Sequence, residues 1–166
     1  MNPVEIKQAT LNDISIINSM ASVVWSHTYA HMMSKEQLDY MFDMMYSPES
    51  VEKQMTEKKH TYFILFENGV PQGYISVHVF EESFLYVEKI YVLPQAQGKG
   101  FGKVLLNKAE EYAHSLLLKG LMLNLNRDNK NACDFYKHSG FNVISERDLH
   151  IGQGFYMNDY IMQKTF

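Results

Sequence analysis

Cysteine is nearly absent: Cys133 stands alone among 166 residues, which excludes an internal disulfide and any CxxC metal or redox pair. No apolar run approaches the roughly 18 residues needed to span a bilayer, so no membrane partner is expected. Lysine and arginine never form a long run, which argues against a nucleic-acid partner. The opening Met1-Asn2-Pro3-Val4-Glu5 lacks the basic-then-apolar order of a signal peptide. With its lone cysteine, the chain reads as a cytoplasmic protein. There is also no internal repeat, low-complexity tract or linker.

What is present suits one globular domain over residues 1–166: 46% hydrophobic content and a net charge of -4. The acidic excess is mild but of the sign that attracts a cationic substrate. The N-terminal third reads as helical after a short strand, Val4 to Ala9. Thr10-Leu11-Asn12-Asp13 offers caps for a helix carrying Ile14, Ile17, Met20, Ala21, Val24 and Trp25. Ser34 opens a second helix, with Glu36 or Gln37 placed to complete a capping box and Leu38, Met41, Phe42 and Met45 on one face. Pro48 suits the first position of a third.

Strands then dominate. Thr61 to Phe66 and Gly73 to Phe80 are rich in β-branched and aromatic residues, with an Asn68-Gly69 turn signal between them. Leu85 to Val92 is the next strand, followed by a helix to about Leu118, a strand Leu121 to Leu125, a helix from about Asn129 to His138, and strands near Phe141 to Leu149 and Phe155 to Gln163. Strands and helices alternate on one mixed sheet, an α/β or α+β arrangement.

Between the strand ending at Val92 and the following helix lies Gln97-Gly98-Lys99-Gly100-Phe101-Gly102-Lys103. Glycines there let backbone amides approach a ligand, and the helix behind them offers unpaired N–H groups to phosphate oxygens. Lys99 and Lys103 add positive charge. The spacing fits neither G-x-G-x-x-G nor G-x-x-x-x-G-K-[ST]. It does fit Q/R-x-x-G-x-G/A through Gln97, Gly100 and Gly102. Downstream, Asn129 to Phe141 reads N-x-x-A-x-x-F-Y-x-x-x-G-F.

Together, in this order, the two motifs resemble the pyrophosphate loop and fourth-helix motif of the GNAT N-acetyltransferase superfamily. Trp25-Ser26-His27-Thr28-Tyr29 and Gly154-Phe155-Tyr156-Met157 are similar to the branch containing bacterial spermidine/spermine acetyltransferases. The resemblance implies a mixed sheet of about six to seven strands with about four to five helices and a V-shaped opening between strands 85–92 and 121–125. It implies acetyl-CoA as co-substrate and no metal. Backbone groups of Ile90, Tyr91 and Val92 would pair with the pantetheine arm, amides from Gln97 to Lys103 would hold the pyrophosphate, and Asn129 would bond near the pantetheine. Homodimers, common in the family, are an expectation of the same kind.

Acetyl transfer from a thioester to an amine needs a neutral nucleophile, a stabilised oxyanion and a proton for the departing thiolate. Tyr136 matches the family tyrosine facing the cofactor sulfur, and a phenol is protonated at neutral pH; the bland alternative is a tyrosine that packs on its helix. Glu88 interrupts an otherwise apolar strand and matches the glutamate that in many members accepts the amine proton, with partial burial expected to raise its pKa. The alternative is a splayed sheet with Glu88 solvated or paired with Lys89. An amide of Val92 or Tyr91 would meet the oxyanion. Trp25, Tyr29, His31 and Tyr86 are candidates for the acceptor pocket, with Trp25 equally suited to the core. An aromatic and acidic lining would suit a polyamine.

His27 and His31 lie one helical turn apart, but Thr28 replaces the glutamate of H-E-x-x-H, so metal binding is not expected. Cys133 reads as a small buried helix residue. Asp148, His150 and Tyr156 lie near the closing hairpin without a spacing that fixes a role. The reading is an N-acetyltransferase for a small-molecule amine. Its alternatives are a protein or peptide N-acetyltransferase and a non-catalytic acyl-CoA-binding sensor.

Overall fold

The computed structural model describes residues 3–31, 33–152 and 155–166, with Thr28, Phe155 and Met157 described by their backbone only. Met1, Asn2 and Gly154, and the Thr28 side chain of the histidine motif, therefore lie outside the described residues. Two compact units emerge, one formed by residues up to His78 with Lys89–Lys108, the other by Val79–Glu88 with Ala109 to the C-terminus.

The first unit starts with β1 (Val4–Gln8), after which a complete capping box opens the 3-10 turn Leu11–Asp13 rather than the following helix itself: Thr10 Oγ1 accepts from the Asn12 amide, and Asp13 Oδ2 accepts from the Thr10 amide at 2.8 Å. Helix α1 (Ile14–Tyr29) buries Ile17, Met20, Ala21, Val24, Trp25 and Tyr29 at helical spacing. In α2 (Lys35–Tyr46) only half the expected box forms: Ser34 Oγ caps the Gln37 amide at 3.1 Å, while the Gln37 side chain reaches Met41 Sδ. Pro48 occupies the first turn of α3 (Pro48–Thr56), where its missing N–H costs nothing.

Strands β2 (Thr61–Glu67) and β3 (Val70–Phe80) form a tighter hairpin than the sequence suggests. Its loop is Asn68-Gly69 alone, with φ of 55° and 79°, the doubly positive pair that matches strand twist. Pro71 is inside β3, opposite Phe66, and the register shifts between Leu65 and Phe66. A bulge absorbs the proline, which has no N–H to give the ladder. β1 pairs antiparallel with β2.

Strand β4 (Phe84–Val92) leads to α4 (Phe101–Ser115) through the glycine loop. The second unit contains β5 (Gly120–Asn126), α5 (Lys130–His138), β6 (Asn142–Gly152) and β7 (Phe155–Thr165). Its ladders are parallel between β4 and β5 and antiparallel for β5–β7 and β6–β7. Helix α4 stops at Ser115, three residues before the expected end, because Leu117 turns to φ 60° and is 92% exposed. Gly120 is required by close approach: a Cβ there would lie 2.1 Å from the Lys164 carbonyl oxygen.

The seven strands follow the order β1-β2-β3-β4-β5-β7-β6, with β3 and β4 running through both units. With five α-helices among the described residues, the architecture is the mixed α/β one expected. No described helix is long and apolar enough to cross a membrane.

Candidate active site

In the first unit, the glycine loop meets the backbone requirement of an anion cradle. Gly98 and Gly100 adopt φ of 85° and 83°, a region in which a Cβ is strained. A Cβ at either would meet nothing within 4 Å, so the glycines serve conformation and leave room above the loop. Gly102 lies in the first turn of α4, whose first bond runs from the Val104 amide to the Gly100 carbonyl at 3.1 Å. The amides ahead of that bond face the start of the helix, where the dipole favours negative charge. Phe101 anchors this end at 5% exposure, and Gln97 Nε2 donates to the Val92 carbonyl at 3.2 Å. Lys103 is exposed. Lys99 pairs with Glu67, its Nζ 3.0 Å from Oε1.

The strand that feeds this loop differs from expectation at its charged residues. Burial alternates along β4, so Leu85, Val87 and Lys89 are buried while Glu88 is exposed. The partial burial expected of the Glu88 carboxylate is therefore corrected: alternation sends its side chain to the exposed phase of the strand. The buried charge is Lys89, 7% exposed, a residue the sequence reading treated only as a neighbour of Glu88. Its ammonium donates to Tyr62 Oη at 2.7 Å, Gln54 Oε1 at 2.8 Å and the Met45 carbonyl at 3.2 Å, and stands 4.1 Å from the centre of the Tyr46 ring. Gln54 completes the cluster by donating to the Met45 carbonyl at 2.7 Å. A second charge beside Glu88 within an otherwise apolar strand points to Lys89; its ligands come from α2, α3 and β2, which no local pattern connects.

The aromatic candidates of this unit form a buried group. Trp25 and Tyr29, 4% and 8% exposed, have ring centres 4.7 Å apart, and the Tyr29 and Tyr91 hydroxyls are 3.1 Å apart. Tyr74 donates to Tyr46 at 2.7 Å, and burial pushes both phenols well above their ordinary pKa. Trp25 is thus a core residue. His31, like His27, is exposed. Tyr91 shares the strand end with half-buried Ile90 and Val92. A missed glycine matters here: a Cβ at Gly73 would stand 2.7 Å from the Tyr91 carbonyl oxygen, so β3 needs glycine to pass this part of β4.

In the second unit, Tyr86 and Glu88 occupy one face of β4. The Tyr86 hydroxyl donates to Asn124 Oδ1 on β5. Burial, helped by the Glu88 charge, pushes the Tyr86 phenol up to about 12. It is therefore a proton-bearing group at neutral pH. The parallel ladder covers Phe84↔Gly120 to Val87↔Leu123, and both strands continue beyond it.

Helix α5 holds the second motif. Asn129 caps it, its Oδ1 accepting from the Ala132 amide at 3.2 Å, which commits that oxygen to the helix. Tyr136 is 7% exposed, packed edge-on against Phe135 and Phe141 with ring centres 5.2 and 5.6 Å away. Cys133 is buried and free. Asp148 is taken by Arg127 at 2.5 Å, and His150 packs on Tyr156 with both exposed.

Comparison with known proteins now gives this geometry a family. The chain is 23% identical to a spermidine N(1)-acetyltransferase of Thermoplasma acidophilum over 98% of both chains. Its fold matches the crystal structure of PaiA N-acetyltransferase from that organism in complex with coenzyme A, with a TM-score of 0.83, 23% identity and 99% of each chain covered. It also matches the ribosomal-protein-S18-alanine N-acetyltransferase of Escherichia coli, with a TM-score of 0.76, 18% identity, and 98% and 94% of the two chains covered. The family model for "Acetyltransferase (GNAT) family" matches residues 25–141, and the chain belongs to that family of acyltransferases.

Proposed function

We propose that this N-acetyltransferase, acting as a single catalytic domain, moves the acetyl group of acetyl-CoA to a primary amine of a small cationic molecule of the polyamine class. The observation that carries the acceptor is the pair Tyr86 and Glu88 on one strand face, a phenol beside a carboxylate exposed to an incoming ammonium. Whole-length similarity to a protein named for spermidine supports the same class.

In this reading the pyrophosphate is held by the amides at Gly98 to Lys103 and the head of α4, where positive φ opens the backbone and no Cβ intrudes. Backbone groups of Ile90, Tyr91 and Val92 would pair with the pantetheine, as an added strand does. Glu88 accepts a proton from the acceptor ammonium, directly or through water, because only the neutral amine attacks the thioester carbonyl. A strand amide of Tyr91 or Val92 meets the oxyanion. As the tetrahedral intermediate collapses, the C–S bond breaks, the Tyr136 phenol gives the thiolate its proton, and the surplus proton on the newly acylated nitrogen returns the phenolate to phenol, directly or through water.

A panel of polyamines, other primary amines and peptides, read by release of the coenzyme thiol, tests the acceptor. Turnover confined to small polycationic amines is expected. Turnover of peptides with polyamines inert would overturn the reading in favour of protein acetylation. Absence of thiol release with every amine and peptide would overturn catalysis itself.

A further inference from the structure

Two histidines of the first unit face each other across neighbouring strands. The β2–β3 ladder opens at Thr61↔Val77, so His60, one residue before β2, and His78 of β3 stand at the next rung. Their rings stack, with centroids 4.5 Å apart and planes 8° from parallel. Both residues are half-buried, and their ligating nitrogens come within 4.8 Å of each other. Acetyl transfer, as proposed, uses neither.

Both main chains are held in place. The His60 amide donates to the Gln54 carbonyl of α3 at 2.8 Å, and His78 lies inside β3. What is left to move is ring torsion, and the χ2 of a histidine rotates over a broad well. Imidazole nitrogens are common ligands of zinc, copper and nickel ions. Two nitrogens about 2.0–2.1 Å from one tetrahedral ion lie roughly 3.3 Å apart, so this pair is at most about 1.5 Å too wide. Parallel rings aim their lone pairs side by side, and rotation of either ring turns both toward one ion. Water or a small anion completes the shell. Two imidazoles on strands already fixed act as a chelate, which favours the ion on the order of a hundredfold over one imidazole alone.

His27 and His31, the pair one turn apart in sequence, lack this frame. Helix α1 ends at Tyr29, so His31 stands beyond it and the helical spacing is not imposed. Both are also exposed.

We infer that His60 and His78 form a site for a divalent transition-metal ion of the zinc and copper class, which clips the entry of β2 to β3. The site does not rest on the acetyl-transfer reading. Its ion is a brace for the sheet and not a reagent.

The test titrates the full chain, freed of metal by a chelator, with Zn2+ in a calorimeter. One tight equivalent should bind, and His60→Gln and His78→Gln should each weaken it on the order of a hundredfold. Replacing His27 and His31 together by glutamine should leave the affinity as it is. A second measurement needs no substitution. Cu2+ with ascorbate oxidises the histidines that hold the copper, and peptide mass spectrometry of the wild-type chain should find the added oxygen on His60 and His78. That readout decides the matter even where a variant folds poorly. Absence of binding, Zn2+ affinity unmoved by both single substitutions, or oxidation confined to other histidines overturns the site.

Discussion

Lys99 Nζ lies 3.0 Å from Glu67 Oε1 and 3.3 Å from Oε2, so the lysine inside the glycine loop is held by the end of β2. Its charge is already compensated before any phosphate arrives. The cradle accordingly depends on backbone more than on this side chain.

Gly100→Ala should therefore weaken acetyl-CoA binding far more than Lys99→Ala. Alanine at φ 83° is strained by roughly 1–2 kcal/mol, a factor of about 5 to 30 if the loop must hold that conformation to bind. Removing one exposed, already paired lysine should cost less than about threefold. Calorimetric titration of each variant with acetyl-CoA checks the order; equal losses would return the leading role to Lys99.

Around Lys89, the ligands matter more than the cation. In Lys89→Met, Gln54 Oε1 keeps the Tyr62 hydroxyl at 2.6 Å and the Met45 carbonyl keeps Gln54 Nε2, so the partners stay satisfied. Gln54→Leu instead leaves a buried ammonium with a shell reduced by one. Stability should fall by about 1 kcal/mol or less in the first case and by about 3 kcal/mol in the second. Urea unfolding of both variants measures the difference.

Tyr136→Phe should leave acetyl-CoA affinity nearly intact and cut turnover on the order of tenfold to a thousandfold. The ring packing with Phe135 and Phe141 survives the substitution, so a fall in Tm would not explain the loss. Single-turnover kinetics separates the two; unchanged turnover removes the phenol from the mechanism.

Asp159 predicts a pH dependence of stability. Burial raises its pKa, against the lowering pull of the Arg147 and Arg127 charges. A carboxyl raised on folding binds its proton more tightly in the native state, so stability is lost as pH climbs from the ordinary carboxylate range through the raised value. Asp159→Asn should thus be at least as stable as wild type at neutral pH, with the gap narrowing as pH falls toward that range. Unfolding curves across pH test this; a variant less stable at neutral pH than at acid pH, relative to wild type, contradicts it.

Much of this was legible because the informative patterns are local. The glycine loop, the Ser34 and Thr10 caps and the Asn68-Gly69 turn each sit within a few residues, where backbone chemistry decides the outcome. What was missed depends on pairing between distant strands. Lys89 is explained only once Met45, Gln54 and Tyr62 surround it, and Asp159 only once β7 lies between β5 and β6. Pro71 hid the start of β3 because proline reads as a strand breaker until a bulge accommodates it. Glu88 was read as half-buried because the strand's apolar residues were counted without their alternation.

The central claim is acetyl transfer to a small polycationic amine. Its most direct measurement is mass spectrometry of a reaction containing the protein, acetyl-CoA and spermidine, with coenzyme thiol followed in parallel. The account predicts one acetyl group on a spermidine amine for each thiol released, with both abolished or strongly slowed in Tyr136→Phe. Thiol release without acetylated spermidine, or acetylated spermidine formed equally fast by Tyr136→Phe, would contradict it.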